Sequence, residues 1–99
     1  MLGNTKKRKR KANMCVITYF DDKADAIKMG TDIINAGLAA YVNITEGTAL
    51  YKLKGQNIQE KSYDLTCIVD VVNLDKIILH IENNHPDEVP HIVSFDIES

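Results

Sequence analysis

The sequence has 99 residues, 44% of them hydrophobic and 26% charged, which is typical of one small soluble globular domain. A chain of this length buries only about 60–65% of its unfolded surface, so association between copies would supplement a modest core. The net charge of −2 combines six basic residues at positions 6–11 with a body, residues 12–99, that carries six positive and fourteen negative charges. This acidic body argues against a nucleic-acid-binding domain, because phosphate binding needs a basic surface.

The basic segment at positions 6–11 defines a tail, residues 1–13, that is predicted to be disordered because its like charges repel one another. A nuclear address, an RNA-binding arm and an organelle-targeting leader remain open for it. No apolar run approaches the length of a membrane span, about 18–20 residues, and no signal-peptide segment is found. Cys15 and Cys67 form no CxxC or zinc-type spacing and are predicted to be buried, reduced thiols, which favours a cytoplasmic location.

The domain, residues 14–99, is predicted to begin with a strand and a helix. MCVITYF (14–20) is rich in β-branched and aromatic residues and is apolar on both faces, as expected for a strand. The chain then changes to helical spacing, with Asp21 or Asp22 as the N-cap and Gly37 as the terminating residue.

A long extended stretch follows the first helix. LAAYVNI (38–44) predicts a second strand, which is interrupted by TEG and continued by TALYKLK (48–54). Gly47 inside this stretch predicts a bulge or bend. GQN (55–57) is predicted to turn the chain into a hairpin.

The second half of the domain repeats the alternation of strand and helix. A strand running to about Val72 alternates apolar and polar residues, and Asn73 is a candidate cap for a second helix. Four apolar residues of that helix follow i, i+3, i+4, i+7 spacing: Leu74, Ile77, Ile78 and Ile81. HIVSFDI (91–97) predicts a last strand, with Val93, Phe95 and Ile97 on one face.

The predicted order β-α-β-β-α-β is that of an α+β, ferredoxin-like sandwich. Right-handed crossovers place both helices on one face of a four-stranded antiparallel sheet. Met14, Val16 and Phe20 alternate with Cys15, Ile17 and Tyr19, so whichever set faces the helices, the other leaves a bare apolar surface. Such a surface predicts self-association.

Three stretches resemble the CutA, or divalent-cation tolerance, family. LAAYVNI (38–44) is similar to the family's Leu-Ala-Ala-Cys-Val-Asn, YKLKG (51–55) resembles its Tyr-x-Trp-x-Gly, and HPDEVP (85–90) resembles its His-Pro-Tyr-x-x-Pro. The chain departs from the pattern at Tyr41, Leu53 and Asp87, and it stops at Ser99 without the family's C-terminal Tyr-Leu-x-Trp helix. The resemblance implies a tightly packed homotrimer that is associated with tolerance of copper and other divalent metals.

HPDEVPH (85–91) is the main candidate for chemistry. The resemblance links a histidine at this place to copper, so His85, with Asn84, is the predicted metal site, for Cu(II) or another divalent cation. The alternative, equally favoured for His85, is a structural corner in which imidazolium bonds the last helix carbonyls and Pro86 fixes the exit direction. A complete metal site would need a second segment or subunit, because neighbouring residues of a turn point in different directions.

A cleft between subunits is the second candidate site. The resemblance implies that Tyr51 and Lys52, joined by Asn43, line this cleft and bind a small molecule or anion. The chain has no nucleophile elbow, P-loop, GxGxxG or HExxH motif, so we expect neither an enzyme nor an organic cofactor.

The function predicted from the sequence is therefore that of a homotrimeric binding or signalling module for divalent metal ions. One alternative is a scaffolding trimer that binds a partner protein, so that metal effects are indirect. The other is an RNA-associated trimer that acts through residues 6–11.

Overall fold

The computed structural model describes residues 13–97, so the predicted tail lies outside the described residues except for Asn13. In chain order the elements are β1 (Asn13–Phe20), α1 (Lys23–Asn35), β2 (Tyr41–Leu53), β3 (Gln56–Asp70), a 3-10 turn (Val71–Asn73), α2 (Leu74–Asn84) and β4 (Ile92–Ile97). The strands form one antiparallel sheet in the order β2-β3-β1-β4. This topology confirms the predicted ferredoxin-like α+β fold.

The core lies between the two helices and one face of the sheet. Alternate residues of a strand point to opposite faces, and β1 turns Val16 and Phe20 toward the helices. The opposite partners of these residues on β3 are Cys67 and Tyr63. The fully buried side chains of this layer come from both helices and both central strands: Val16, Ala26, Ile33, Leu65, Cys67, Val69, Ile77 and Ile81.

Helix α1 begins and ends where the sequence predicts. The side chain of Asp22 accepts a hydrogen bond of 2.8 Å from the backbone N–H of Ala24, which makes Asp22 the N-cap. At the other end Gly37 has a φ of 71°, and its N–H bonds the carbonyl of Ile34 at 3.0 Å. The N–H of Leu38 bonds the carbonyl of Ile33 at 3.1 Å, which completes a Schellman motif.

The interruption predicted at Gly47 is wrong. Strand β2 pairs with β3 one residue to one residue from Tyr41 opposite Ile68 to Leu53 opposite Gln56, and Gly47 lies opposite Ser62 in unbroken register. A bulge requires two residues opposite one, and no such place occurs here. Residues 38–40, predicted to belong to this strand, precede it.

The hairpin turn is shorter than predicted and consists of Lys54 and Gly55 alone. Their φ values are 51° and 81°. Positive φ at both central residues is the geometry of a type I′ turn, whose twist matches that of the flanking strands. Glycine adopts this conformation without strain, whereas Lys54 does not.

Helix α2 starts after Asn73 as predicted, but Asn73 makes no side-chain capping bond. The preceding 3-10 turn is capped instead by Asp70, which accepts a hydrogen bond of 3.1 Å from the N–H of Val72. Ile77 and Ile81 are fully buried, so the predicted apolar stripe faces the core. Neither helix of the described residues is long and apolar enough to cross a membrane.

Strands β2 and β3 extend past the rest of the sheet. Strand β1 ends at Phe20, opposite Tyr63. Residues 47–62, which we call the arm, therefore form a two-stranded ribbon that no third strand of residues 13–97 joins. The described part of the chain measures 57 × 27 × 20 Å and has a radius of gyration of 16.2 Å, against about 13 Å for a compact domain of this size.

Candidate functional site

His85 immediately follows α2, and its ring is held on all sides by the chain itself. The side chain is 0% exposed. Its Nε2 lies 2.8 Å from the carbonyl oxygen of Tyr19, and its Nδ1 lies 3.0 Å from the backbone nitrogen of Asp87. The ring also stacks on Phe20, with centroids 4.3 Å apart and planes 15° from parallel.

These two hydrogen bonds fix the tautomer of His85. A carbonyl oxygen only accepts, so Nε2 carries the hydrogen, and a backbone N–H only donates, so Nδ1 offers its lone pair. The imidazole is therefore neutral in this arrangement. The carboxylate of Asp87 lies 4.0 Å from Nδ1, but an ion pair would need a proton on Nδ1 at the place where the Asp87 N–H already points.

The residues of one chain do not form a metal site around His85. A metal ion binds an imidazole through a nitrogen lone pair, and the lone pair of Nδ1 is already engaged. Asn84 is exposed, and its amide nitrogen donates to the carbonyl of His80 at 2.8 Å. Within residues 13–97 no three His, Cys, Asp or Glu side chains come together in a way that could hold a metal. The metal site predicted at His85 and Asn84 stays a prediction that requires ligands from elsewhere.

One chain also does not bring the predicted cleft residues together. Asn43 and Tyr51 share one face of β2 but are eight residues apart, roughly 27 Å along the strand. Lys52 belongs to the opposite face. The side chain of Asn43 is engaged locally, since it donates to the Tyr41 hydroxyl at 3.1 Å and accepts from the Thr45 hydroxyl at 3.0 Å. A cleft containing all three residues would need a second chain.

A groove of about 940 Å³ lies on the sheet face away from the helices, between the arm and the segment that leads into β4. Tyr51 borders it and donates a hydrogen bond of 2.9 Å to the carboxylate of Glu60. This hydrogen bond is the main reason that the pKa of Tyr51 is raised, with smaller contributions from desolvation and from the negative charges of Glu60 and Asp21. The polar residues that line the groove are Tyr19, Asp21, Tyr51, Glu60, Ser62, Asp87 and His91.

The sequence did not single out Glu60 or Asp21 as groove residues. Tyr51 lies opposite Ile58, and Glu60 is the next residue along β3 on the same face. A two-residue turn at Lys54 and Gly55 fixes that register. Had the turn been predicted at these two residues and not at 55–57, the sequence would have placed Tyr51 and Glu60 next to each other. The sequence indicated Asp21 only as a candidate N-cap of α1.

The two thiols belong to the sheet and not to a reactive site. Cys67 is fully buried, and burial, with a smaller effect of Cys15, raises its pKa to about 12. Burial also raises the pKa of Cys15. Both cysteines are free, and a thiol with a raised pKa stays protonated at neutral pH, which disfavours metal ligation and nucleophilic attack.

The sheet face opposite the helices is not covered by the described residues, and it carries apolar side chains, as predicted, beside polar ones such as Asn43, Thr45 and Thr66. We call it the open face; it carries Cys15, Ile17, Tyr19, Tyr41, Ile68, Val93 and Phe95. Phe95, Val93 and Tyr41 are 48%, 43% and 53% exposed. Exposed apolar side chains grouped on one face of a sheet mark an interaction site.

Comparison with solved structures finds the same fold in several proteins. CutA from Synechococcus elongatus PCC7942 superposes with a TM-score of 0.84 at 21% identity, covering 91% of this chain and 80% of that chain. CutA1 from Oryza sativa gives 0.83 at 23% identity, covering 90% and 83%. The periplasmic divalent cation tolerance protein CutA from Archaeoglobus fulgidus gives 0.80 at 15% identity, covering 88% and 85%. At these identities the likeness establishes the fold alone.

The sequence itself carries the family relationship. No curated protein matches it. The family model described as CutA1 divalent ion tolerance protein, however, matches residues 14–99. Because this match spans the whole domain, the chain belongs to the CutA1 divalent ion tolerance protein family.

Proposed function

We propose that the chain works as a homotrimer in the response to divalent metal ions, copper among them, and binds an ion or small ligand where its subunits meet. The open face supports this proposal. Val93 and Phe95 leave apolar area in water, and a second copy seated on them would remove that area from solvent. The number of three subunits rests on the family resemblance.

The groove supports the location of the ligand. Asp21, Glu60 and Asp87 offer carboxylate oxygens and His91 offers an imidazole, donors that suit divalent cations. Tyr19 and Val93 belong both to the groove and to the open face, so a copy seated on the open face would border the groove. Ligands from that copy would complete a site that one chain leaves incomplete.

A scaffolding trimer that binds a partner protein is the second candidate function. The engagement of both ring nitrogens of His85 favours it, because the histidine linked to metal by the resemblance has no lone pair free to bind an ion. In this case metal ions act indirectly. Both candidates describe a protein without an enzymatic reaction or an organic cofactor. A cytoplasmic location belongs to the proposal and is supported by the two free cysteines.

The assembly is tested by sedimentation equilibrium at micromolar concentration. We expect the wild-type chain to sediment with three times its mass of 11.1 kDa. Phe95→Asp should dissociate the assembly because it buries an unpaired charge in the interface. Leu79→Asp is the matched control, since Leu79 is 57% exposed on α2, away from the open face. A stable wild-type monomer would contradict the proposal.

Calorimetric titration with Cu(II) and Zn(II) separates the two candidate functions. If the ion binds where subunits meet, binding should be strong in the wild-type chain and weak in the dissociated Phe95→Asp variant and in Glu60→Gln. Equal binding by Phe95→Asp would refute a site between subunits. Absence of binding by the wild-type assembly would leave the scaffolding function.

A further inference from the structure

The segment between α2 and β4, residues 85–91, is attached to β1 at both of its ends. At the first end, His85 donates from Nε2 to the carbonyl of Tyr19 at 2.8 Å. At the second end, the hydroxyl of Thr18 donates to the carbonyl of His91 at 2.8 Å, and Thr18 is 0% exposed. Two consecutive residues of β1 thus hold the two ends of one irregular segment, which we call the corner.

The corner has little else to fix its backbone. Pro86 and Pro90 lack an N–H group. Outside helices and strands, no backbone–backbone hydrogen bond of the described residues involves positions 86–91. Within the corner itself, the N–H of Asp87 donates to Nδ1 of His85. The side chains of His85 and Thr18 therefore supply the hydrogen bonds that hold this segment in place.

We propose that His85 and Thr18 are positioning residues that clamp the corner to β1, and that His85 binds no metal ion while the clamp is closed. The corner supplies one wall of the groove through Asp87, Val89, Pro90 and His91. The clamp consequently sets the position of that wall. Because both of its hydrogen bonds lie within one chain, the clamp exists whether or not copies associate, so it extends beyond the proposed function.

Metal binding at His85 and closure of the clamp exclude each other. Nε2 carries a hydrogen that is donated to Tyr19, and the lone pair of Nδ1 accepts the N–H of Asp87. The buried ring also stacks on Phe20, which leaves no open side for an ion. A divalent ion could reach either nitrogen only by breaking a hydrogen bond of the clamp and releasing the groove wall.

Nuclear magnetic resonance tests the state of the His85 ring directly. Long-range ¹H–¹⁵N correlation of the wild-type protein should show the neutral tautomer with hydrogen on Nε2. One equivalent of Zn(II) should leave both His85 nitrogen resonances unchanged, whereas a metal ligand would shift them. Hydrogen on Nδ1, or a Zn(II)-dependent shift at His85, would overturn the proposal. The measurement uses the wild-type chain, so it does not depend on whether a variant folds.

Hydrogen exchange tests the clamp. Loss of either hydrogen bond of the clamp should accelerate exchange of the Asp87 amide, which donates to Nδ1 of His85, by roughly tenfold in Thr18→Val and in His85→Ala. His85→Gln, which keeps a donor at the end of a long side chain, should restore part of the protection and should bind Zn(II) with wild-type affinity. Thr48→Val, an exposed threonine on β2, is the control. Unchanged exchange in both Thr18→Val and His85→Ala, or loss of a Zn(II) site in His85→Gln, would refute the clamp.

Discussion

Alkaline pH should destabilise this protein through Cys67. The thiol has a pKa of about 12 in the folded chain, against 9.0 for a solvent-exposed cysteine, which represents the unfolded chain. Above pH 9 the unfolded chain therefore loses a proton that the folded chain retains. Stability falls as pH rises wherever the folded state holds more protons, so this contribution decreases the free energy of unfolding between about pH 9 and pH 12.

The size of the effect follows from the two pKa values. Each pKa unit of difference corresponds to about 1.4 kcal/mol. The expected loss is about 1.4 kcal/mol at pH 10 and about 2.7 kcal/mol at pH 11, with a limit of about 4 kcal/mol above pH 12. A small domain is stabilised by only about 5–15 kcal/mol, so this loss is measurable well before unfolding is complete.

Urea unfolding of the wild-type chain and of Cys67→Ala is compared under reducing conditions at pH 8, 10 and 11. Lysines and tyrosines that titrate in the same range are present in both proteins, so the difference between them reports the thiol. Cys67→Ala should be less stable than the wild-type chain at pH 8, because it leaves a small cavity in the core. As pH rises, the free energy of unfolding of Cys67→Ala should decrease less than that of the wild-type chain. The difference should be about 1.4 kcal/mol at pH 10 and about 2.7 kcal/mol at pH 11. Val69→Ala, which removes an equally buried side chain without a thiol from the same strand, is the matched control. If wild type and Cys67→Ala lose stability in parallel from pH 8 to pH 11, burial of Cys67 does not control its ionisation.

Two further substitutions test the turn and the core by urea unfolding at neutral pH. Gly55→Ala should cost about 1–2 kcal/mol, because its φ of 81° is strained for alanine; Gly47→Ala, in open extended backbone, should not destabilise, and equal effects would contradict the turn geometry. Ile81→Ala should cost about 2–5 kcal/mol because Ile81 is fully buried. Leu79→Ala, at a position 57% exposed on the same helix, should change stability by about 0.5 kcal/mol or less, and a similar loss in both would refute the assigned core face.

Local signals predicted most of the fold. Asp22 and Gly37 set the limits of α1 because capping chemistry is read from neighbouring residues. The spacing of Ile77 and Ile81 identified the buried face of α2 because a helix repeats every 3.6 residues. Gly47 misled the prediction because glycine marks some bulges, yet it also fits a regular strand on a ribbon whose partner, Ser62, is small. The backbone hydrogen bonds between β2 and β3 keep the strand regular at Gly47. Those bonds do not depend on the residue type at position 47, so the sequence does not indicate them.

The arrangement at His85 was beyond prediction for a different reason. Both atoms that bind its ring are backbone atoms, the carbonyl of Tyr19 and the N–H of Asp87, and every residue type offers a carbonyl while all but proline offer an N–H. The sequence could place the histidine at a helix end and next to a proline. It could not show that β1, 66 residues away in sequence, supplies the partner of Nε2. The open face, by contrast, could be predicted because β1 carries apolar residues on both of its faces.

Proteolytic cleavage at the tip of the arm would divide the chain into two fragments. Among the described residues the two strands of the arm pair only with each other, and a two-stranded ribbon is marginally stable in water, so the tip opens more often than the central sheet. Lys54 lies at that tip, where trypsin can cleave the opened backbone after its carbonyl. The first fragment would retain β1, α1 and β2, and the second β3, α2 and β4. Since β3 pairs with both β1 and β2, the two fragments share one core and should stay together after the cut as a non-covalent pair.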